Sequence, residues 1–301
     1  MRFRTFDRAT DYTAVSDFLV TLYEPENRDG NWFQPIWEYA YTHPGFDEES
    51  VDRIGIWEDD GRIVAVVSYE LRRGEAFFNC HRNYRWLEAE MLKHAEEYLT
   101  AELPDGDLRL DVFIHDSDRA FTQYVSAKDY VRVPAAWRPM ARWFIPDPFP
   151  SITLPEGFRL QSLAEDNDLR KMDRVLYRGF DHPGEPPEEG VIDRQRMQSG
   201  PNYRQDLAVV VVAPNGEFAS FCGMWYDPVN RLAYVEPVAT DPDYRRRGLG
   251  SAAVREGVRR CNLLGATVAY VGSTQPIYNA VGFRELHALH CWRKEWKRTP
   301  P

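Results

Sequence analysis

Asp241-Pro242-Asp243-Tyr244-Arg245-Arg246-Arg247-Gly248-Leu249-Gly250-Ser251 is the stretch on which the reading of this chain turns. It lies between an alternating apolar run that ends at Thr240 and a helical pattern from about Gly248 to Leu264 that stops at Gly265, so it joins a strand to a helix. The first turn of a helix presents N–H groups without intrahelical partners and the positive end of the helix dipole. Glycine there lets a bulky anion approach the backbone with no Cβ in the way. With three arginines beside it, the stretch predicts a phosphate-holding turn.

Gly248-Leu249-Gly250-Ser251-Ala252-Ala253 also fits the G-x-G-x-x-A form of a dinucleotide fingerprint. That fingerprint needs an acidic residue about 20 positions on to hold a ribose hydroxyl. No Asp or Glu occurs between Glu256 and Glu285, and the dinucleotide reading fails. The strand before the turn, Tyr234-Val235-Glu236-Pro237-Val238-Ala239-Thr240, carries an internal proline. Proline removes a ladder donor, which predicts an edge or a bulge that splays parallel neighbours and frees the amides of Val238 and Thr240. Downstream, Pro276-Ile277-Tyr278-Asn279-Ala280-Val281-Gly282-Phe283 reads as a short helix with a tyrosine five residues before a Gly-Phe pair.

With these three pieces in order, roughly residues 155–296 resemble the GNAT family of acetyl-CoA-dependent N-acetyltransferases. Arg245-x-x-Gly248-x-Gly250 is similar to the family's pyrophosphate loop, Glu236 to Thr240 to its bulged fourth strand, and Tyr278 with Gly282-Phe283 to its tyrosine segment. The chain departs from the family where Val271 and Thr274 stand in place of a common asparagine and alanine. The resemblance implies that Val238, Ala239, Thr240, Arg245, Arg246, Arg247, Gly248, Leu249, Gly250 and Ser251 bind acetyl-CoA. It implies further that Glu236 takes the proton of an attacking amine and that Tyr278 returns one to the thiolate. The expected function is transfer of an acetyl group to a primary amine of a small or peptidic acceptor, without a metal. A catalytically silent acetyl-CoA sensor or scaffold is the alternative, and turnover separates the two.

The acidic loop Asp181-His182-Pro183-Gly184-Glu185-Pro186-Pro187-Glu188-Glu189 lies where the family often builds its acceptor pocket, which favours a cationic amine. Trp225, Tyr226 and Asp227 are candidates for its wall.

Four prolines in Pro146 to Pro155 forbid helix and mark a connector at mid-chain. On either side of it the same order repeats: strand, helix, three strands, long helix, strand, short helix, strand. The expected fold class is α/β, two tandem GNAT-like domains, each a mixed central sheet flanked by helices. Their expected bounds are 1–148 and 156–301, with a linker at 149–155. Aligning Tyr84-Arg85 on Tyr244-Arg245 puts Glu88 and Glu90 where Gly248 and Gly250 stand, Val125 at the place of Tyr278 and Asp129 at that of Gly282. Carboxylates repel a pyrophosphate, so the first domain reads as a degenerate copy with a structural role.

The 301 residues suffice for two domains, and 43% apolar with 28% charged residues is a globular composition. A net charge of −10 disfavours nucleic acid and anionic lipid as main partners. The scattered Cys80, Cys222, Cys261 and Cys291 suggest neither a disulfide framework nor a zinc site. His287 and His290, three apart in a predicted strand, point to opposite faces and share no metal. No apolar stretch is long enough for a membrane span and Met1 to Arg8 lacks a signal-peptide core, so the expected location is cytoplasmic. The residues leave the oligomeric state open.

Overall fold

Residues 1–297 are described by a computed structural model, and their elements run in two matching series. The first is β1 (Arg2–Thr5), α1 (Asp11–Leu22), α2 (Gln34–Thr42), β2 (Gly55–Asp59), β3 (Arg62–Ser68), β4 (Glu75–Cys80), α3 (Glu88–Tyr98), the short β5 (Ala101–Glu102), β6 (Leu108–His115), α4 (Arg119–Ser126) and β7 (Val131–Phe144). The second is β8 (Arg159–Ser162), α5 (Leu169–Gly179), α6 (Gly190–Met197), β9 (Val209–Val212), β10 (Phe218–Asp227), β11 (Leu232–Thr240), α7 (Leu249–Leu263), β12 (Val268–Val271), α8 (Pro276–Val281) and β13 (Arg284–Trp296). The predicted repeat is present, with an additional second helix in each series.

The chain divides into two compact units. The first comprises 1–41, 45–139 and the described residues from 287 onward; the second comprises 42–44 and 140–286. These limits differ from the 148 and 156 read from the prolines. The last strand belongs to the first unit, where β13 pairs antiparallel with β6 from Leu289 opposite His115 to Trp296 opposite Leu108. Residues 141–144 of β7 pair antiparallel with β12 in the second unit. Unit membership follows strand pairing, and a proline-rich stretch marks only where the backbone is extended.

Within the first unit the strands run β1-β2-β3-β4-β6-β13, and within the second β8-β9-β10-β11-β12 followed by the end of β7. In both, neighbours are antiparallel except one central parallel pair, β4 with β6 and β11 with β12. All four valines of β9 are buried, as a continuous apolar run requires of a strand covered on both faces. Local chemistry sets the helix ends. Asp168 caps α5 by accepting from the amides of Arg170 and Lys171 at 3.0 and 3.1 Å, and Gly265 stops α7 with a left-handed φ of 111°. α7 packs Val254, Val258 and Cys261 onto the sheet, and all four cysteines are buried thiols. No helix is long and apolar enough to cross a membrane among the described residues.

Candidate active site

In the second unit, β11 stays in parallel register with β12 only at Leu232, Ala233 and Tyr234. Its other neighbour slips register between Cys222, opposite Val238, and Met224, opposite Val235, which leaves Gly223 facing Glu236-Pro237. Pro237 donates nothing to the ladder, and a Cβ on Gly223 would lie 2.5 Å from the Glu236 carbonyl oxygen. Trp225 Nε1 donates to that same oxygen at 2.9 Å. Thus β10 holds the bulge. The β12-side edge of β11 beyond Tyr234 opens on a cleft of about 730 Å³ lined by Val238, Ala239, Thr240, Phe180, Ile277 and Tyr278.

The turn after β11 is clamped from α5. Asp241 is fully buried and accepts from Arg174 Nη1 at 3.0 Å, Arg178 Nε at 2.8 Å and the Asp243 amide at 3.0 Å. Burial opposes ionisation, yet Arg178, the amide and Arg174 together hold the Asp241 carboxyl below its usual range. Arg245 donates from Nε to the Thr240 carbonyl at 3.1 Å and from Nη2 to that of Gly179 at 2.9 Å, and pairs with Asp181 at 2.8 Å. Its donors tie backbone segments together beside the cleft that it lines.

Arg246, with φ of 62°, and Gly248, with φ of 80°, are left-handed, a backbone form that turns amides into an anion-binding concavity. No side chain caps α7. The two glycines serve different needs. A Cβ on Gly248 would meet nothing, so that glycine answers its backbone angle and leaves space. A Cβ on Gly250 would fall 2.8 Å from Ile277 Cδ1 and 3.0 Å from Thr240 Oγ1, so that glycine lets the helix start sit against β11 and α8. Arg246 lines the cleft, whereas Arg247 lies with its guanidinium 5.8 Å from the Tyr244 ring and faces an adjoining hollow.

Tyr278 sits at the inner end of the cleft, 8% exposed. The amides of Gly282 and Phe283 both donate to its carbonyl, at 3.1 and 2.9 Å, and the Phe283 ring meets its ring edge-on at 5.9 Å. Gly282 is required by a φ of 137° and by Trp143, whose Nε1 would lie 2.7 Å from an added Cβ. Burial foremost, then the charges of Glu236 and Cys222, push the Tyr278 phenol well above its ordinary value. Glu236 is half-buried and outside the cleft lining, near enough for its charge to act on that phenol.

Two carboxylates of the acidic loop have ion-pair partners. Asp181 pairs with Arg245, and Glu185 with Arg174 at 2.9 Å and Arg178 at 3.1 Å, so these carboxylates belong to the clamp. Tyr226 donates to the Leu264 carbonyl at 2.8 Å, and Asp227 accepts from the amides of Val229 and Asn230 at 2.9 and 3.0 Å. Both have structural work that the sequence reading did not foresee.

The first unit has the same frame with its opening filled. β4 pairs with β6 only as far as Phe77 opposite Phe113, whose rings stack at 4.6 Å with 1° between their planes. Beyond them the edge of β4 is taken by the unit's own loop. Cys80 donates its amide to Asn31 Oδ1 at 2.8 Å, Asn31 Nδ2 donates to the Cys80 carbonyl at 3.2 Å, and the Trp32 amide donates to Asn79 Oδ1 at 2.7 Å. Gly30 packs so closely on His115 that a Cβ would lie 2.7 Å from its Cδ2. Arg85, the counterpart of Arg245, pairs with Glu88 at 2.6 Å and with Asp118. Burial pushes the Glu88 carboxyl up to about 7 against the pull of Arg85. Glu90 accepts from Trp57 Nε1 at 2.9 Å. The remaining cavity, about 20 Å³, holds little more than one water. Val125 is fully buried and accepts from the Tyr130 amide at 3.2 Å, with Asp129 left-handed at 67°, which repeats the Tyr278–Phe283 geometry without a phenol.

Residues 169–285 match the model of the Acetyltransferase (GNAT) family. This segment, which holds the cleft, is a GNAT-family domain. A GCN5-related N-acetyltransferase from Sphaerobacter thermophilus superposes with a TM-score of 0.67 at 15% identity, over 99% of this chain and 96% of that one. A tandem GNAT protein from the clavulanic acid biosynthesis pathway gives 0.64 at 13% identity, over 99% of both chains. A GNAT-family acetyltransferase from Colwellia psychrerythraea gives 0.55 at 9% identity, over 99% and 100%. At these identities the likeness is one of fold, and the fold is two tandem GNAT-like domains. No curated protein matches the sequence significantly.

Proposed function

We propose that the second unit transfers an acetyl group from acetyl-CoA to a primary amine of a small or peptidic acceptor by direct attack. The observation that carries this reading is the continuity of one cleft from the left-handed turn at Arg246 and Gly248, along the unladdered edge of β11, to a buried tyrosine. The amides of Gly248 to Ser251 hold the pyrophosphate at the helix start. The edge of β11 pairs with the extended pantetheine arm, and the Val238 N–H donates to the thioester oxygen as negative charge develops there.

An amine attacks only when neutral, so Glu236 takes the ammonium proton, directly or through a water. The new N–C bond forms as the C–S bond breaks, and Tyr278 gives its hydroxyl proton to the departing thiolate. The phenol is protonated at neutral pH, and because burial raises the basicity of a thiolate in the same cleft as well as that of the phenolate, the proton can pass to sulfur there.

Release of free thiol from acetyl-CoA with a panel of amines tests the proposal. Tyr278→Phe is expected to lower kcat by about 10²-fold or more while leaving coenzyme affinity within about threefold, and Glu236→Ala to lower kcat/KM by about tenfold at neutral pH and less at alkaline pH. Coenzyme binding without turnover on any amine would overturn the enzymatic reading.

A further inference from the structure

The last residue of β11, Thr240, lines the cleft, and it is held from behind by Ser220 of β10, which does not. Ser220 lies opposite Thr240, and the Asp241 amide donates to the Ala219 carbonyl at 3.1 Å. In an antiparallel pair, residues that exchange backbone bonds alternate with residues that do not. Ala239 therefore turns its carbonyl toward β10, and Thr240 turns its N–H the other way, to the cleft. A Cβ on Gly179 would lie 3.1 Å from the Thr240 nitrogen, so that glycine keeps the N–H clear on the α5 side.

Ser220 is fully buried, with its Oγ 2.9 Å from the Ala239 carbonyl oxygen and 3.0 Å from Thr240 Oγ1. A carbonyl only accepts, and a serine hydroxyl has one hydrogen. That hydrogen goes to Ala239, so at the second contact Thr240 donates and Ser220 accepts. Two consequences reach the cleft. The Ala239 carbonyl and the Thr240 N–H belong to one peptide group, and a hydrogen bond accepted at one end strengthens the donor at the other. The Thr240 hydroxyl, with its hydrogen pointed inward, keeps only lone pairs for anything else. The Thr240 carbonyl is engaged by Arg245 Nε at 3.1 Å. Gly250 also lines the cleft, and a Cβ there would lie 3.0 Å from Thr240 Oγ1, so the hydroxyl borders the cleft where that side chain is missing.

From this arrangement we infer that Ser220 is a positioning residue for the acyl donor, setting Thr240 as an N–H donor and a hydroxyl acceptor for the amide groups of the donor's arm. This rests on the proposed function and adds to it a side-chain selection for amide over ester in that arm. An amide N–H finds an acceptor at Thr240 Oγ1, whereas an ester oxygen in its place meets a lone pair. Ser220 acts only through Thr240 and Ala239, from the far side of the strand.

Calorimetry on the full chain with coenzyme A and its two ester isosteres, each with oxygen in place of one pantetheine N–H, tests this. The unaltered protein is expected to bind coenzyme A about fivefold or more tightly than at least one isostere. Thr240→Val and Ser220→Ala should each reduce that preference to about twofold or less, and Thr240→Ser, which keeps the hydroxyl, should retain it. Should Ser220→Ala fail to fold, Thr240→Val, at a partly exposed side chain, decides alone. In turnover, Ser220→Ala should raise KM for acetyl-CoA by about fivefold and leave kcat within about twofold, because the contact is made alike in ground and transition states. A serine that only supported the bulge would instead let Val238 shift, and a fall in kcat with KM unchanged overturns the inference. So does equal affinity for all three forms in the unaltered protein, or an equal loss for all three in the variants; either leaves the acetyl-transfer reading standing. Binding of no form overturns both.

Discussion

The two units fold one plan twice and differ in what fills the gap between the central parallel strands. In the second, β11 and β12 part after Tyr234 and Tyr270 and leave a cleft of about 730 Å³; in the first, β4 and β6 part after Phe77 and Phe113 and leave about 20 Å³. Asn31 lies on the edge of β4 that corresponds to the β11 edge taken by the pantetheine arm in the proposed complex, and Glu88 and Asp118 pair with the arginine that corresponds to Arg245. In the proposed reading, the first unit's own loop and carboxylates supply the partners that a coenzyme supplies in the second. The second unit leaves the corresponding groups exposed to a cleft.

The largest test copies the first unit's turn into the second. Gly248→Glu puts a carboxylate where Glu88 stands, in open space but at a φ of 80°. Acetyl-CoA affinity by calorimetry should fall by about 100-fold or more, whereas the left-handed angle costs the fold only about 1 kcal/mol. Retained affinity would break the comparison at its centre.

A smaller effect is expected from unplugging the first unit. Asn31→Ala leaves the Cys80 amide buried without its partner, and thermal unfolding should report a loss of about 2 kcal/mol. Affinity for acetyl-CoA should not change. A gain of a second coenzyme site in this variant would mean that the loop alone keeps the first unit closed.

The smallest effect concerns the buried carboxyl beside Arg85. With a folded pKa of about 7 against an ordinary 4.5, Glu88 holds its proton more tightly in the native state. It therefore adds stability in acid, and that contribution is lost as pH rises from about 4.5 through 7. His287, buried and lowered to about 4 by desolvation and by His115, works in the opposite sense, losing stability as pH falls through that value. The difference in melting temperature between the unaltered protein and Glu88→Gln, followed from pH 5 to pH 8, isolates the Glu88 contribution. The variant should gain relative to the unaltered protein as pH rises, and a constant difference would show that Glu88 does not titrate.

Much of this was legible in the chain because it is local. Gly248 and Gly250 stand at a strand-to-helix turn, Pro237 interrupts an alternating strand, and Gly282-Phe283 follows a tyrosine at fixed spacing, so bulge, cradle and tyrosine could be placed from short windows. The duplicated order was readable for the same reason. What escaped depends on distant pairing. Arg174 and Arg178 reach Asp241 across 67 and 63 positions, and Asn31 reaches Cys80 across 49. Arg174 and Arg178 are four apart on the charged face of α5 with Arg170 and Lys171, and nothing in that face says which carboxylate they reach. The pairing of Asp181 and Glu185 escaped because composition reports carboxylates and omits the arginines that hold them. The unit limits differ from the proline-rich stretch because β7 and β13 are long strands whose residues divide between the two units.

The central claim is that one of two GNAT copies holds the coenzyme. A fragment ending at residue 148 lacks β13, which pairs with β6, so the measurement is made on the full chain. Calorimetric titration with acetyl-CoA should give one site per chain, and Gly248→Glu should abolish it. Two sites per chain, or one site that survives Gly248→Glu, would contradict the account.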